Sequence, residues 1–470
     1  MEHALTSSTC LSLFGSSLVV LLGLASSTTA VRAQSSQSTI KQLYAFSCNS
    51  NSSECPQGKD PSSLIQSVDG NFYGTTQFGG SGTEAAGIVF KLTPMGALTT
   101  IHTFLGNTNG ANPTSLVEGN DGFLYGTTQT GGANNEGTVF RLSKTGTIEL
   151  LHSFCSLVSC ADGNQPFNLV LGNDGNFYGC TTYSHPGTLF RVTPGGSYTL
   201  LHTFNTFVDG PQCVGMMVAS DGNIYGDTVG GFAFPTVVFR LTTAGQITVL
   251  HILEYSQFPV SPLAQTSNGK LWSSLSHVFA ADQAGMFEIG LSGAGYQEIA
   301  LPYPFEPPHV QFMTQASDGN FWGTLGQSMV RFTLGGTSLE QIPFPAANSN
   351  TFSPLLLQAS NGQILGLTND GGFDGGDPSE IFVVEAALAP PKPLFVSFAP
   401  SSGIVGSQVM IHGSHFVGTT AVKFNGVSAK FQVLNTGNIN AIVPTGATSG
   451  PVAVVNQGGP TLSKTNYTVQ

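Results

Sequence analysis

Charged residues are scarce in this chain. They occupy 9% of its 470 positions, against about 25% in an average globular domain. Coiled coils and long helices are rich in Glu, Lys and Arg, so the composition argues against both. Basic residues are the scarcer kind, with 14 Lys and Arg against 26 Asp and Glu and a net charge of −12. Phosphate backbones repel such a chain, and the sequence predicts no nucleic-acid partner.

Long apolar runs are also scarce. Residues 11–24 form one, and Val31 and Ala33 beyond it fit the small-residue positions of a signal-peptide cleavage site. We interpret residues 1–33 as a secretory signal peptide, although no Lys or Arg precedes the run; an uncleaved membrane anchor is the alternative. No other run reaches the roughly 18 apolar residues of a spanning helix. The mature chain is therefore expected to lack a membrane span and to be secreted, periplasmic or on the cell surface.

Cysteine is sparse, and its spacing argues against zinc. One of the seven lies in the predicted signal peptide, and the other six are Cys48, Cys55, Cys155, Cys160, Cys180 and Cys213. An even number in an exported chain indicates disulfides. We predict two local bridges in polar loops, Cys48 with Cys55 and Cys155 with Cys160. No His and Cys cluster with zinc-finger spacing accompanies them, and the pairing of the last two cysteines stays open.

Glycine and phenylalanine, in contrast, are abundant, with 59 and 33 residues. Aromatic side chains favour strands, and glycine favours tight turns. Combined with the low charge, this composition predicts an all-β protein made of many short strands.

A turn followed by an aromatic strand recurs seven times. Four copies have the pattern Asp-Gly-x-x-Tyr-Gly, at residues 69–74, 121–126, 174–179 and 221–226. Three weaker copies begin at residues 268, 318 and 361. The turn glycines lie at positions 70, 122, 175, 222, 269, 319 and 362, so the interval is 43 to 53 residues. That period is typical of a four-stranded propeller blade.

The last copy lacks its fourth strand. Its first three strands are predicted at residues 355–359, 363–368 and 380–385, and the proline-rich segment 388–393 follows. Residues 39–46, directly after the signal, look like a fourth strand without a sheet of their own. Because an open sheet exposes its edges, we predict that this N-terminal strand closes a seven-bladed β-propeller spanning residues 34–387.

The repeats resemble a known family. Residues 124–132, 137–142 and 151–154 of the second copy resemble the GloVer tandem repeat of exported bacterial "choice-of-anchor" proteins. The resemblance covers about residues 38–386 and is strongest in the first three copies. It implies an exported propeller of bacterial origin, but it identifies no catalytic or binding residues.

Residues 394–470 resemble an IPT/TIG domain. The motifs that carry this resemblance are residues 393–403, 406–413, 422–427, 441–444, 450–454 and 467–469. Alternating strands with Gly and Pro turns independently predict a small immunoglobulin-like β-sandwich, which follows the linker 388–393. Three Lys and no Arg argue against DNA binding by this module, so an adhesion or spacer role is expected.

Two kinds of polar residue recur at fixed positions in the copies. One set comprises His102, His152, His202 and His251. Propeller symmetry holds equivalent positions apart, so we expect hydrogen bonds within or between blades rather than a ring of ligands. The other set, on the third strand, comprises Lys91, Arg141, Arg191, Arg240 and Arg331. These cations either pair with the turn aspartates or, in the interpretation we prefer, form a solvated polar face.

Candidate catalytic and metal-binding residues are few. Residues 318–322 are similar to repeats of the streptogramin-lyase type of propeller, whose catalysis needs His and carboxylate groups at one end of the channel. The candidates for that role are His277, Glu306 and His309. A glycine-rich loop offers three carboxylates to Ca²⁺, although without EF-hand spacing: Asp370, Asp374 and Asp377. No other cofactor is predicted.

These observations predict an exported, non-catalytic binding or surface-interaction protein. An extracellular polymer, glycan or protein is the expected partner, because propeller and sandwich loops offer broad surfaces. The alternative is a propeller lyase or hydrolase.

Overall fold

The structure is a computed structural model. It describes residues 38–48, 55–82, 85–106, 109–181, 187–230, 234–254, 257–259, 261–277, 285–301, 311–325, 328–344, 352–369 and 379–470. For residues 277, 311, 312 and 352–354 it describes the backbone only. The predicted signal peptide, residues 1–33, lies outside these ranges.

Every element of the described chain is a β-strand except one 3₁₀-helix at Val158–Cys160, which confirms the predicted all-β class. The first strand is β1 (Thr39–Phe46). Sheet 1 contains β2 (Lys59–Gln66), β3 (Phe72–Phe78), β4 (Ile88–Leu92) and β5 (Leu98–Thr103). Sheet 2 contains β6 (Ala111–Glu118), β7 (Leu124–Thr130), β8 (Thr138–Leu142) and β9 (Ile148–Ser153). Sheet 3 contains β10 (Pro166–Leu171), β11 (Phe177–Thr181), β12 (Thr188–Val192) and β13 (Tyr198–Thr203). Sheet 4 contains β14 (Gln212–Val218), β15 (Ile224–Val229), β16 (Thr236–Leu241) and β17 (Ile247–Leu253).

The later sheets follow the same plan. Sheet 5 contains β18 (Gln257–Pro259), β19 (Ala264–Gln265), β20 (Leu271–His277), β21 (Gly285–Ile289) and β22 (Gln297–Ala300). Sheet 6 contains β23 (Gln311–Gln315), β24 (Phe321–Leu325), β25 (Ser328–Phe332) and β26 (Ser338–Pro343). Sheet 7 contains β27 (Phe352–Gln358), β28 (Ile364–Thr368) and β29 (Ser379–Glu385).

Strand β1 supplies the fourth strand of sheet 7. The other sheets are antiparallel and ordered as in the sequence, with β18 and β19 sharing the first place in sheet 5. In sheet 7, β29 pairs antiparallel with β1, from Thr39 opposite Glu385 to Phe46 opposite Ser379. The segment predicted as a detached fourth strand therefore lies beside the last sheet, more than 300 residues away in the chain.

Asp-Gly and Asn-Gly turns join the first two strands of each sheet. In sheet 1, Gly70 has a φ of 79°, a conformation that costs glycine nothing. The Asp69 carboxylate accepts hydrogen bonds from the Asn71 backbone N–H, at 3.1 Å, and from the Tyr73 hydroxyl, at 2.8 Å. We call this end of every sheet the turn end. The opposite end, where the chain passes from one sheet to the next, is the loop end.

Apolar clusters fill the spaces between consecutive sheets. Between sheets 1 and 2, for example, Tyr73 and Val89 pack against Leu124 and Phe140. A further cluster contains Phe46, Phe72 and Phe90 together with Leu365 and Ile381 of sheet 7. Sheet 1 is therefore packed on both faces, against sheet 2 and against sheet 7. Each buried side chain of this size contributes about 1.5–3 kcal/mol.

The C-terminal module is a sandwich of two sheets. Its strands are β30 (Leu394–Ala399), β31 (Ser402–Gly403), β32 (Gln408–Ser414), β33 (Ala421–Phe424), β34 (Val427–Ser428), β35 (Lys430–Asn435), β36 (Asn438–Ile442), β37 (Gly450–Asn456) and β38 (Gly459–Val469). One sheet has the order β30-β32-β36-β35 and the other β31-β38-β37-β33-β34. Val409, Ile439, Val452 and Tyr467 are buried between them, as in an immunoglobulin-like core.

Candidate functional site

The described structure does not test the predicted catalytic and calcium residues. His277 ends β20, and its side chain is outside the description. Glu306 and His309 lie outside the described residues, as does the calcium candidate loop with Asp370, Asp374 and Asp377. These assignments stay predictions. Among the residues that the structure does describe, no three His, Cys, Asp or Glu side chains gather as metal ligands.

The C-terminal module covers the turn end of the sheets. A cleft of about 240 Å³ is lined by Leu171 and Val218 on one side and by Asn435 on the other. A larger cleft of about 480 Å³ lies between the turns of sheets 5 and 6 and the module residues Ser414 and His415. A third cleft joins the module to sheets 1, 6 and 7. The module therefore lies across the turn ends of all seven sheets.

Two polar contacts attach the module and its linker to the turns. The Asn435 side-chain amide donates to the Asn120 carbonyl oxygen at 2.8 Å, and the Ser317 hydroxyl donates to the Ala389 carbonyl oxygen at 2.6 Å. Sequence reasoning had no signal for these contacts, because each joins a turn to a segment 72 to 315 residues away.

Amide side chains at the turn end link neighbouring sheets. Four glutamines, each the last residue of a first strand, accept a backbone N–H from the turn of the preceding sheet at 2.7–2.9 Å: Gln66, Gln265, Gln315 and Gln358. The Gln66 bond joins sheet 1 to Ser360 of sheet 7. Sheets 3 and 4 carry the apolar Leu171 and Val218 at this position. Those two residues are the ones beneath the module's 240 Å³ cleft.

A row of amides lies at the loop end, near the start of the first strands. The Gln77 side chain donates to the Gln129 carbonyl oxygen at 3.4 Å, and Gln129 donates to Gln165 at 3.5 Å. Asn112 donates to the backbone oxygen of Gln77 at 3.1 Å. All four side chains are partly exposed. We call Gln77, Asn112, Gln129 and Gln165 the amide row; sequence analysis did not single it out.

The recurring histidines bind side chains in the loops that follow them. His152 Nε2 lies 3.1 Å from the Asp162 carboxylate, and His202 Nε2 lies 2.7 Å from that of Asp209. His102 contacts Asn109 at 3.4 Å in the same way. The fourth, His251, stacks on Tyr296 with ring centroids 3.7 Å apart. The expected local hydrogen bonding therefore holds for three of the four.

Burial and hydrogen bonding shift the pKa values of His152 and Asp162. It lowers the pKa of His152, against the opposing effect of the neighbouring Asp162 carboxylate. Burial alone would raise the pKa of Asp162, but hydrogen bonds from Ser156 and Leu157 outweigh it and hold that pKa below its usual value. The neutral imidazole and the ionised, hydrogen-bonded carboxylate therefore stabilise the loop that follows sheet 2.

Three of the five third-strand cations pair with turn aspartates, which corrects our preference for a solvated polar face at those positions. Lys91 lies 3.6 Å from Asp69, and Arg141 lies 3.1 Å from Asp121. Arg331 contacts Asp318 at 2.7 Å. The hairpin register places the third strand beside the second, so its cation lies next to the turn that the second strand begins from. Each pair is partly exposed and contributes little by itself.

Three disulfides are present. Cys48 is bonded to Cys55 and Cys155 to Cys160, the pairs proposed from the sequence. The third bridge joins Cys180 of β11 to Cys213 of β14. It cross-links sheets 3 and 4, where the glutamine bond of the turn end is missing.

Comparison with known proteins agrees with this architecture. Residues 22–235 match the Gloeobacter/Verrucomicrobia repeat, and residues 393–469 match the IPT/TIG domain. The chain therefore carries Gloeobacter/Verrucomicrobia repeats over residues 22–235 and an IPT/TIG domain over residues 393–469. Both resemblances found in the sequence are thereby confirmed. No curated protein matches the chain.

Two solved structures share the fold of this repeat protein. A catalytically inactive variant of virginiamycin B lyase from Staphylococcus aureus, with quinupristin, has a TM-score of 0.53 and 18% identity, covering 74% of this chain and 99% of its own. A streptogramin B lyase has a TM-score of 0.53 and 15% identity, covering 74% and 97%. At these identities the likeness concerns the fold alone. Within the described residues of the repeat protein, no helix has the length and apolarity to cross a membrane.

Proposed function

We propose that the protein is an exported, non-catalytic binding protein whose loop end takes an extracellular glycan or a similar hydroxyl-rich polymer. The amide row is the observation that carries this proposal. A side-chain amide offers a carbonyl acceptor and two N–H donors, and sugar hydroxyls both donate and accept. The contacts of 3.4 and 3.5 Å within the row are long and weak, so a ligand's hydroxyls can replace them at little cost.

The IPT/TIG module supports the choice of the loop end. It lies across the turn ends of the sheets, and a ligand that approaches from that side meets the module first. We further propose that the seven sheets form a closed seven-bladed propeller. The pairing of β1 with β29 and the Gln66 bond to Ser360 support closure.

Export is part of the proposal and rests on residues 1–33. The signal-like sequence and the family to which the repeats belong support it, and the three disulfides fit an oxidising compartment. The site of residence is then the periplasm, the cell surface or the medium.

A glycan array with the mature chain, residues 34–470, tests the binding function. We expect wild-type protein to bind, and Gln129→Ala to bind about threefold to tenfold more weakly, because it removes one hydrogen-bonding group from the row. Gln246→Ala is the matched control, because Gln246 is exposed in a turn at the turn end, on the opposite side of the sheets from the amide row. Absence of binding, or equal binding by the two variants, contradicts the proposal.

The fold likeness to two streptogramin lyases favours one second candidate, a propeller lyase or hydrolase that uses His277, Glu306 and His309. Incubation with quinupristin, followed by mass spectrometry, tests it directly. Conversion that is lost in His277→Ala would support the enzyme. We expect quinupristin to be recovered unchanged.

A further inference from the structure

Two neighbouring loops at the loop end share the same pattern of internal hydrogen bonds. Residues 155–163 follow sheet 2 and residues 205–210 follow sheet 3; we call them the anchored loops. In each, a buried aspartate binds the histidine of the preceding strand, His152 or His202. The same aspartate also accepts backbone N–H groups from its own loop. These internal bonds hold both loops in one conformation.

The first anchored loop is held at several points. The Asp162 carboxylate accepts the backbone N–H and the hydroxyl of Ser156 at 3.0 and 2.7 Å and the N–H of Leu157 at 3.2 Å. The Cys155–Cys160 disulfide closes the loop. In the second loop, Asp209 accepts the N–H of Asn205.

Both loops expose large apolar side chains to solvent. Val158 is 90% exposed and Leu157 is 55% exposed. Phe207 is 79% exposed and Val208 is 57% exposed. The Phe207 ring rests edge-on against Phe234, with centroids 5.4 Å apart. Apolar groups that a rigid loop keeps in water mark a binding surface.

The exposed surface of the anchored loops carries no charge. Asp162 and Asp209 are the only ionisable groups in residues 155–163 and 205–210 apart from the bonded cysteines, and they are 0% and 5% exposed. An anionic lipid surface needs basic residues, and a charged peptide needs opposite charges. The loops offer neither.

We infer that the anchored loops form an apolar platform on which the rings of an uncharged polysaccharide stack. This inference rests on the proposed function and names its ligand class. A pyranose ring has an apolar C–H face, which suits Phe207 and Val158, and hydroxyl groups at its edge, which suit the amide row. The two features are neighbours, because Gln165 of the row follows the first anchored loop by two residues.

Pull-down on microcrystalline cellulose and chitin, with soluble neutral β-glucan and polygalacturonate as further probes, tests the platform. We expect the mature chain to bind at least one neutral probe, and Phe207→Ser or Val158→Ser to weaken that binding about tenfold each. Met95→Ser is the matched control. Met95 is 91% exposed in a turn at the turn end, away from the anchored loops, and its replacement should leave binding unchanged.

The possible outcomes separate the two proposals. If Gln129→Ala weakens binding and the two serine variants do not, the platform is overturned and the binding function stands. Binding to polygalacturonate alone also overturns the platform. If wild-type protein binds no glycan, both proposals fail.

Asp209 is a positioning residue in this scheme. Asp209→Asn keeps a carbonyl oxygen for the N–H of Asn205, as Asn109 does beside His102, and should retain binding. Asp209→Ala should lose it about as completely as Phe207→Ser. Equal binding by wild type, Asn and Ala variants contradicts the positioning role.

Discussion

Aspartate has two opposite roles in the repeats. At the turns its carboxylate accepts hydrogen bonds and pairs with a cation. Asp121, for example, accepts a hydrogen bond from the Tyr125 hydroxyl at 2.7 Å and forms an ion pair with Arg141. In β15, in contrast, Asp227 is fully buried. The backbone N–H groups of Gly215 and of Asp227 itself favour its ionised form, but no side chain of the described residues donates a hydrogen bond to it. Burial raises its pKa well above the usual value, so the folded protein holds a neutral carboxylic acid there.

Replacing Asp227 should stabilise the protein at neutral pH. Sheets 1 and 2 have Thr75 and Thr127 at this position, and the Thr75 hydroxyl bonds to Ser62 at 2.8 Å. A carboxyl whose pKa is raised by folding keeps a proton that the unfolded chain releases above about pH 4, so stability falls as the pH rises. We expect Asp227→Thr to remove this slope and to increase the free energy of unfolding at pH 8 by about 1–3 kcal/mol.

Urea unfolding between pH 4 and pH 8 measures this effect. Glu149→Gln is the control, because that carboxylate is 64% exposed and should not change the slope. An equal pH dependence of stability in wild type and Asp227→Thr would contradict the assignment of a neutral Asp227, because buried histidines such as His152 contribute equally to both proteins.

At the scale of elements, β1 holds the two ends of the repeat array together. Phe46 is buried in the cluster shared by sheets 1 and 7. The Gln42 amide donates to Glu380 at 2.9 Å, and Glu340 of sheet 6 accepts the backbone N–H of Ser38 at 3.0 Å. The strand therefore contacts three sheets, although it is only eight residues long.

Deleting residues 34–46 should destabilise the whole array, because the edge of β29 and the face of sheet 1 would both lose their partners. We expect hydrogen exchange to accelerate in all seven sheets and the cooperative thermal transition to be lost. A chain that begins at Ser38 retains β1 and should behave as wild type. Loss of protection in sheet 7 alone would show that the other sheets do not depend on β1.

At the scale of the whole molecule, the IPT/TIG module is part of the structure of the turn end. It covers the apolar ends of sheets 3 and 4, where Leu171 and Val218 replace the glutamines of sheets 1, 5, 6 and 7. The Asn435 bond to Asn120 lies at the same place. The adhesion or spacer role expected from the sequence does not account for this contact.

Removing residues 388–470 should expose that apolar surface. We expect the truncated chain to melt at a lower temperature and to bind the dye ANS. Asn435→Ala in the full chain should cost about 1–3 kcal/mol, because that buried amide also accepts hydrogen bonds from Gly437 and Asn438. Glycan binding should survive truncation wherever the array stays folded, because the amide row is at the other end. An unchanged melting temperature would show that the module contributes nothing to the array.

The strands and their turns could be predicted from residue types and spacing. Asp-Gly and Asn-Gly turns act locally, and the seven copies predicted the first two strands of each sheet. Residues 39–46 were likewise predicted as a strand and form β1. These features depend on residues close together in the chain, whose types alone set the backbone conformation.

Contacts between groups far apart in the chain could not be predicted in this way and are visible only in the folded protein. The aspartates that bind His152 and His202 lie ten and seven residues beyond them, in loops of different length, so no fixed spacing identified them. The amide row joins three sheets, and the position of the IPT/TIG module depends on contacts across hundreds of residues. Such contacts follow from the packing of whole sheets against one another, which no local pattern encodes.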